Sequence, residues 1–183
     1  MTTLSTTLTY QDYLLLPEDG KRYEIIEGDL SMTPAPLTRH QTMVGRIHYQ
    51  LMAYLETHTI GDVFIAPCDV LLSDTDVVQP DLLVVLHSGL ACITENNIQG
   101  PPDLVVEILS PSTATRDREL KRKRYEHFGV REYWLVDPAD NTLEILNLTT
   151  RQRSAYSLAT HSPHHCSTIL LPDFTLDLTW LFK

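Results

Sequence analysis

Two acids stand where the sequence is otherwise apolar. Asp81 follows Pro80 at the head of Leu82-Leu83-Val84-Val85, and Glu107 lies inside Asp103-Leu104-Val105-Val106-Glu107-Ile108-Leu109. Both runs read as strands, and strand side chains alternate, so Val105, Glu107 and Leu109 share one face while Val106 and Ile108 share the other. Glu107 therefore points into the core or into a cleft. An isolated buried carboxylate costs several kcal/mol or takes up a proton, so it needs a cation, a hydrogen-bond donor or a metal ion. The bland solution is a salt bridge to an arginine. The following helix offers another: Lys121 precedes Tyr125 by four residues and Phe128 by seven, one apolar stripe, whereas Arg122, Lys123 and Glu126 fall elsewhere around the cylinder. A short link around Ser110-Pro111-Ser112 packs that helix back on the Glu107 strand, so the ammonium can meet the carboxylates, unless it snorkels over the helix edge. Two hard carboxylates and a lysine suit metal-assisted phosphodiester hydrolysis. Oxygen ligands hold Mg²⁺ or Mn²⁺, the metal acidifies a bound water, and the lysine orients the nucleophile or stabilises developing charge. The backbone carbonyl of Ile108 can complete the metal site.

Other candidates carry less. His40, at a helix start after Pro34-Ala35-Pro36, can serve as a proton shuttle or phosphate donor, or simply cap the helix. His161, His164, His165 and Cys166 are too compressed for a tetrahedral zinc site. Ser110 and Ser112 lack a G-x-S-x-G setting, and no glycine-rich phosphate loop is present. Segment 116–131 holds seven of the 14 basic residues, either as a solvated helix face paired to Asp117, Glu119 and Glu126 or as a ridge that contacts phosphates.

The elements that must place these residues are legible in outline. Thr9, with Asp12 three positions on, starts a short helix that Pro17 and Gly20 close. Residues 22–33 alternate around Glu27-Gly28-Asp29 as a hairpin. Met43, Ile47, Leu51, Tyr54 and Leu55 predict a long helix from Thr38 to about Glu56, with Gly61 at its exit. Strand-like runs cover 63–72, 82–86 and 104–109. A helix over 116–128 ends at Gly129, a hairpin joins 132–136 to 142–148, and weaker strands lie at 154–158 and within 168–178. The expected architecture is α+β: one mixed sheet flanked by two main helices.

With 183 residues the chain has room for one domain, expected over 1–183 with its core at about 10–180. Charged residues at 21% and apolar ones at 43% exclude disorder and fibrous classes. No stretch approaches the roughly 20 apolar residues of a membrane helix, and Met1 to Tyr10 lacks a signal-peptide pattern. Cys68, Cys92 and Cys166, odd in number and far apart, point to a reducing cytoplasm. The net charge of -10 argues against general coating of nucleic acid or anionic membrane.

Several of these segments carry a family resemblance. Arg22-Tyr23-Glu24-Ile25-Ile26-Glu27-Gly28, His40, Gln79-Pro80-Asp81-Leu82, the stretch Pro102 to Ser112, Lys121, Tyr125, Gly129-Val130 and Glu132 to Val136 resemble, in that order, the bacterial Uma-type endonucleases of the PD-(D/E)XK restriction-endonuclease-like superfamily. The resemblance implies a mixed central sheet flanked by helices and a Mg²⁺-dependent nuclease site, with Asp81 as the PD acid and Glu107 as the second acid. It also makes Glu24 an auxiliary acid that holds a second metal or positions water. The simplest superfamily pattern puts lysine two residues after the second acid, where this chain has Leu109, so the lysine looks displaced to Lys121. The expected activity is hydrolysis of DNA phosphodiester bonds, with weak affinity aided by segment 116–131 and a two-fold dimer to cut both strands. The alternatives are an inactive nuclease-fold binding or assembly module and, less fittingly, a carboxylate-pair glycoside hydrolase, which leaves Lys121 unexplained.

Overall fold

The computed structural model describes residues 7–158 and 165–183. It opens on α1 (Tyr10–Tyr13), where the Thr9 amide donates to Asp12 Oδ2 at 2.8 Å, as a capping box requires. The hairpin β1 (Arg22–Ile26) and β2 (Asp29–Thr33) turns through Glu27 at φ 54° and Gly28 at φ 82°, the pair of left-handed residues that a two-residue turn needs. Helix α2 (Thr38–His58) buries Met43, Ile47, Leu51, Tyr54 and Leu55. It ends on Thr59 in the left-handed conformation, so Gly61 instead begins the next strand.

The run expected as one strand over 63–72 is two. Pro67, preceded by a cis bond, separates β3 (Gly61–Ile65) from β4 (Val70–Ser73), and the two join different sheets. Then come β5 (Asp76–Val78), β6 (Leu82–Leu86), a 3₁₀ turn at His87–Cys92, β7 (Ile98–Gln99) and β8 (Leu104–Ile108). A helical crossover follows: α3 (Ala114–Arg116), a wider π-helical turn at Asp117–Lys121, and α4 (Arg122–Phe128), closed by Gly129 at φ 94°. The remaining elements are β9 (Glu132–Asp137), β10 (Thr142–Asn147), β11 (Gln152–Ser157), β12 (His165–Ser167), β13 (Thr175–Asp177) and α5 (Leu178–Phe182). The tail has β13 within the expected 168–178 stretch and adds the short helix α5, which the sequence reading did not include.

Three sheets form among the described residues: β2-β1-β5-β4-β7, β11-β10-β9-β8-β6-β3 and the pair β12-β13. The six-stranded sheet is mixed, since β8 runs antiparallel to β6 and parallel to β9. The fold is α+β as expected, but the single sheet expected from the sequence is divided. Alternation along the central strands then makes two cores. Leu82, Val84, Leu104, Val106 and Trp134 face α2 and α5, while Leu83, Val85, Val105, Tyr133 and Leu135 face α4 and the five-stranded sheet. Full burial of an aliphatic or aromatic side chain is worth about 1.5–3 kcal/mol. These cores offset the cost of the charged groups packed at the end of β8.

Candidate functional site

Register brings the two acids together. Leu82 pairs with Val106, so Asp81, one residue before β6, lies opposite Glu107. Glu107 sits on the α4 side of the sheet, near the carboxyl end of a strand that feeds a crossover helix. Ligands of open α/β sheets bind at such ends. Asp81 and Glu107 line one cavity of about 680 Å³, together with His40, Ile108, Asp117 and Lys121.

The carboxylates are held from several directions. Asp81 Oδ1 accepts from Arg22 Nη1 at 3.1 Å, and Oδ2 accepts from the Ile108 amide at 2.9 Å and lies 2.9 Å from His40 Nε2. Burial would raise the Asp81 pKa, but His40, the Ile108 amide and Arg22 prevail and lower it. Glu107 Oε1 accepts both of that residue's hydrogen bonds, from Lys121 Nζ at 2.8 Å and from the Tyr125 hydroxyl at 3.1 Å. Its burial dominates: despite Lys121, and helped by the neighbouring carboxylates, the pKa is pushed up to about 8.

Lys121 is buried, with Nζ 2.7 Å from Glu24 Oε1, 2.8 Å from Glu107 Oε1 and 3.9 Å from Asp117 Oδ1. Burial would lower its pKa, yet these three carboxylates outweigh it and hold the ammonium charged well above its usual range. The π-helical turn matters here, because Asp117 and Lys121 are its first and last residues and both point inward. Wide turns of this kind often mark functional segments of a helix. The stripe shared with Tyr125 holds, since Tyr125 is buried as well.

All five sequence candidates gather in this region: Asp81, Glu107, Lys121, His40 and Glu24. Glu24 stands behind Lys121 and is not part of the cavity wall. It accepts from the Gln79 amide at 2.9 Å, while Arg116 Nη2 lies 3.0 Å from its Oε2 at an angle that makes no hydrogen bond. Its place suits holding the lysine better than contacting a substrate.

Three participants escaped sequence reasoning: Arg22 on Asp81, Arg116 beside Glu24, and Asp117 below Lys121. Alternation held the signal for Arg22, since it shares a strand face with Glu24. Spacing held it for Asp117, four residues before Lys121.

The basic segment 116–131 follows neither reading as expected: most of its cations are ion-paired, but mainly to acids outside the segment rather than to Asp117, Glu119 and Glu126. Arg116 pairs with Glu24, Arg118 with Asp137 and Glu144, Lys121 with the site, Arg124 with Asp76 and Glu27, and Arg131 with Asp103. Arg122 and Lys123 alone form no ion pair there, so the segment is no continuous phosphate-binding ridge. Of the histidine and cysteine cluster, His161 and His164 lie outside the described residues, and Cys166 is a buried thiol that donates toward the Leu176 carbonyl. Cys68, Cys92 and Cys166 are all free of disulfides. Among the described residues no helix is long and apolar enough to cross a membrane.

A buried acid pair on neighbouring strands, with a lysine delivered by the next helix, is the arrangement expected of a restriction-endonuclease-like protein. The chain matches the Uma2 family model, described as "Putative restriction endonuclease", over residues 10–179, and it belongs to that family. Among solved structures it is similar to "a putative nuclease belonging to DUF820 from Anabaena variabilis ATCC 29413", with a TM-score of 0.80 and 20% identity over 96% of this chain and 97% of that one. At that identity the likeness establishes the shared fold. No curated protein matches the chain.

Proposed function

We propose that the protein is a Mg²⁺-dependent endonuclease that hydrolyses phosphodiester bonds of DNA. The observation that carries this reading is the convergence of Asp81 and Glu107, from neighbouring strands, on one cavity whose floor includes the charged Lys121. The residues fit a divalent ion of the hard, oxygen-seeking kind. Asp81, Glu107 and the Ile108 carbonyl are oxygen donors, and Mg²⁺ is held by one or two carboxylates, with water and substrate phosphate completing its shell.

Charge balance supports the fit. Four buried carboxylates, Glu24, Asp81, Glu107 and Asp117, face three permanent cations, Arg22, Arg116 and Lys121, with His40 as the fourth partner. Burial raises the pKa values of Glu107 and Asp117, and neighbouring carboxylates add to the effect. A divalent ion bound there supplies charge neutralisation for the phosphate and a more acidic water. The chain supplies the rest: Arg22 and His40 fix the Asp81 carboxylate, Tyr125 fixes Glu107, and Lys121 keeps a positive charge where negative charge develops on the phosphoryl group. One site per chain breaks one strand, so cutting both strands calls for a two-fold pair.

One observation favours the second reading, a binding module with a nuclease fold: both oxygens of Asp81 are already engaged by protein donors. A nicking assay on plasmid and on single-stranded circular DNA decides. Nicking that needs millimolar Mg²⁺ or Mn²⁺ and disappears in folded Glu107→Ala and Asp81→Ala variants is the expected result. Nicking that persists in either folded variant overturns the assignment.

A further inference from the structure

Nine of the chain's 14 lysines and arginines are ion-paired to carboxylates: Lys21, Arg22, Arg116, Arg118, Lys121, Arg124, Arg131, Arg151 and Arg153. The other five are Arg39, Arg46, Arg122, Lys123 and Lys183, and three of them share one place. Arg39, Arg46 and Lys183 line a groove of about 390 Å³ between the start of α2 and the end of α5. In a protein of net charge -10 such a cluster stands out.

The groove lies beside the proposed active site, since Arg39 lines both it and the larger cavity. Arg39 is tied to the neutral Asn141 Oδ1 at 2.7 Å. Arg46 donates to the Leu181 carbonyl at 3.1 Å and lies with Cζ 5.6 Å above the Trp180 ring. Both guanidinium charges are therefore oriented but not neutralised. Asp177, which caps α5, is occupied by the Trp180 amide. Aromatic surface follows directly: Trp180 is 36% exposed and Tyr49 65%, with ring centroids 5.6 Å apart edge to face. Arg39, Thr42, Arg46 and Tyr49 fall at helical spacing, so two cations and then a ring follow one another along one stripe of α2, with Trp180 of α5 beside the ring.

We infer that this stripe is a track for single-stranded nucleic acid, leading the strand past the Trp180–Tyr49 pair and Arg46 to Arg39 and the cavity. The inference rests on the nuclease reading and narrows its substrate class. A cationic groove interleaved with exposed rings is how proteins hold unpaired strands, whose bases can stack on side chains while phosphates meet arginine. Paired bases keep their faces within the duplex stack and cannot reach the rings. Asp81 and Glu107 are each 4% exposed where they line the cavity, so a strand must approach them closely.

The test is binding without cleavage. Trp134 is wholly buried, so quenchable tryptophan emission reports Trp180. The intact protein in EDTA is titrated with an oligothymidylate and, separately, with a hairpin duplex of matched length. The single strand is expected to quench Trp180 and to bind roughly tenfold tighter than the duplex. Its log affinity should fall with log salt at a slope of about -2, for three phosphate contacts. Arg46→Ala should weaken binding roughly tenfold and flatten the slope by about 0.7. Equal or tighter duplex binding, unmoved Trp180 emission, or unchanged affinity in folded Arg46→Ala and Trp180→Ala variants overturns the track. Should Trp180→Ala not fold, Trp180→Phe with Arg39→Ala takes its place. Metal-dependent cleavage of single-stranded circular DNA without oligothymidylate binding refutes the track alone, whereas oligothymidylate binding without cleavage of that substrate refutes the nuclease reading alone.

Discussion

Replacing Glu107 by glutamine should abolish metal-dependent nicking and, above neutral pH, make the metal-free protein more stable. A carboxyl that ionises near 8 instead of its ordinary 4.5 holds its proton more tightly in the folded chain. Its contribution to stability is therefore intact below about pH 4.5 and is lost as pH rises through 8. Each decade is worth about 1.4 kcal/mol, which sets a ceiling of about 5 kcal/mol at pH 9. Glutamine keeps an acceptor for Lys121 and Tyr125 but never ionises, and Lys121 retains Glu24 at 2.7 Å. For a chain of this size even a third of the ceiling raises the melting midpoint by about 5 °C. Melting both proteins in EDTA between pH 5 and 9 should show midpoints that coincide at pH 5 and diverge toward pH 9, with the variant higher. Mg²⁺ should then lift the wild type and leave Glu107→Gln unmoved, because only a ligand that binds the folded state stabilises it. A gap that does not grow with pH, or a wild type that is the more stable at pH 9, would refute the claim that burial rather than Lys121 governs Glu107.

Lys121→Met removes the one cation shared by Glu24, Glu107 and Asp117, and denaturant titration at pH 7 should show a loss of about 3–5 kcal/mol. Nicking by that variant should vanish under conditions where it remains folded. Gly129→Ala places a side chain on a left-handed residue at φ 94° with open space around it, so the cost is about 1 kcal/mol of backbone strain, read by thermal melting, with nicking unchanged.

What the sequence made legible follows the range of its signals. The facing of Glu107, the hairpin turn at Gly28, the α2 stripe and the direction of Lys121 all depend on periods of two or 3.6 residues, and each matches the structure. The division of one sheet into two was hidden, because Val63 to Leu72 is uniformly strand-like and only Pro67 interrupts it. Arg22 stands 59 positions before Asp81, and Arg116 stands 83 and 85 positions after the Thr33 and Ser31 hydroxyls it donates to. Contacts at such separations have no local pattern. The same holds for segment 116–131, whose partners Asp76, Asp103, Asp137 and Glu144 lie outside it. Clustering in sequence said nothing about whether those charges were spent. The groove of Arg39, Arg46 and Lys183 was half legible, since the two arginines share a helical stripe while Lys183 comes from the far end of the chain.

The wide helical turn at Asp117–Lys121 also sets how the gene can vary. Surface connections usually absorb insertions and deletions, but the 14 positions from Glu107 to Lys121 behave as a fixed measure. Dropping one codon while the turn keeps its width would swing whatever follows by about 100° around the axis. The ammonium would leave Glu24 and Glu107, or Tyr125 would leave the core. Length variation should therefore gather in other connections and spare this one.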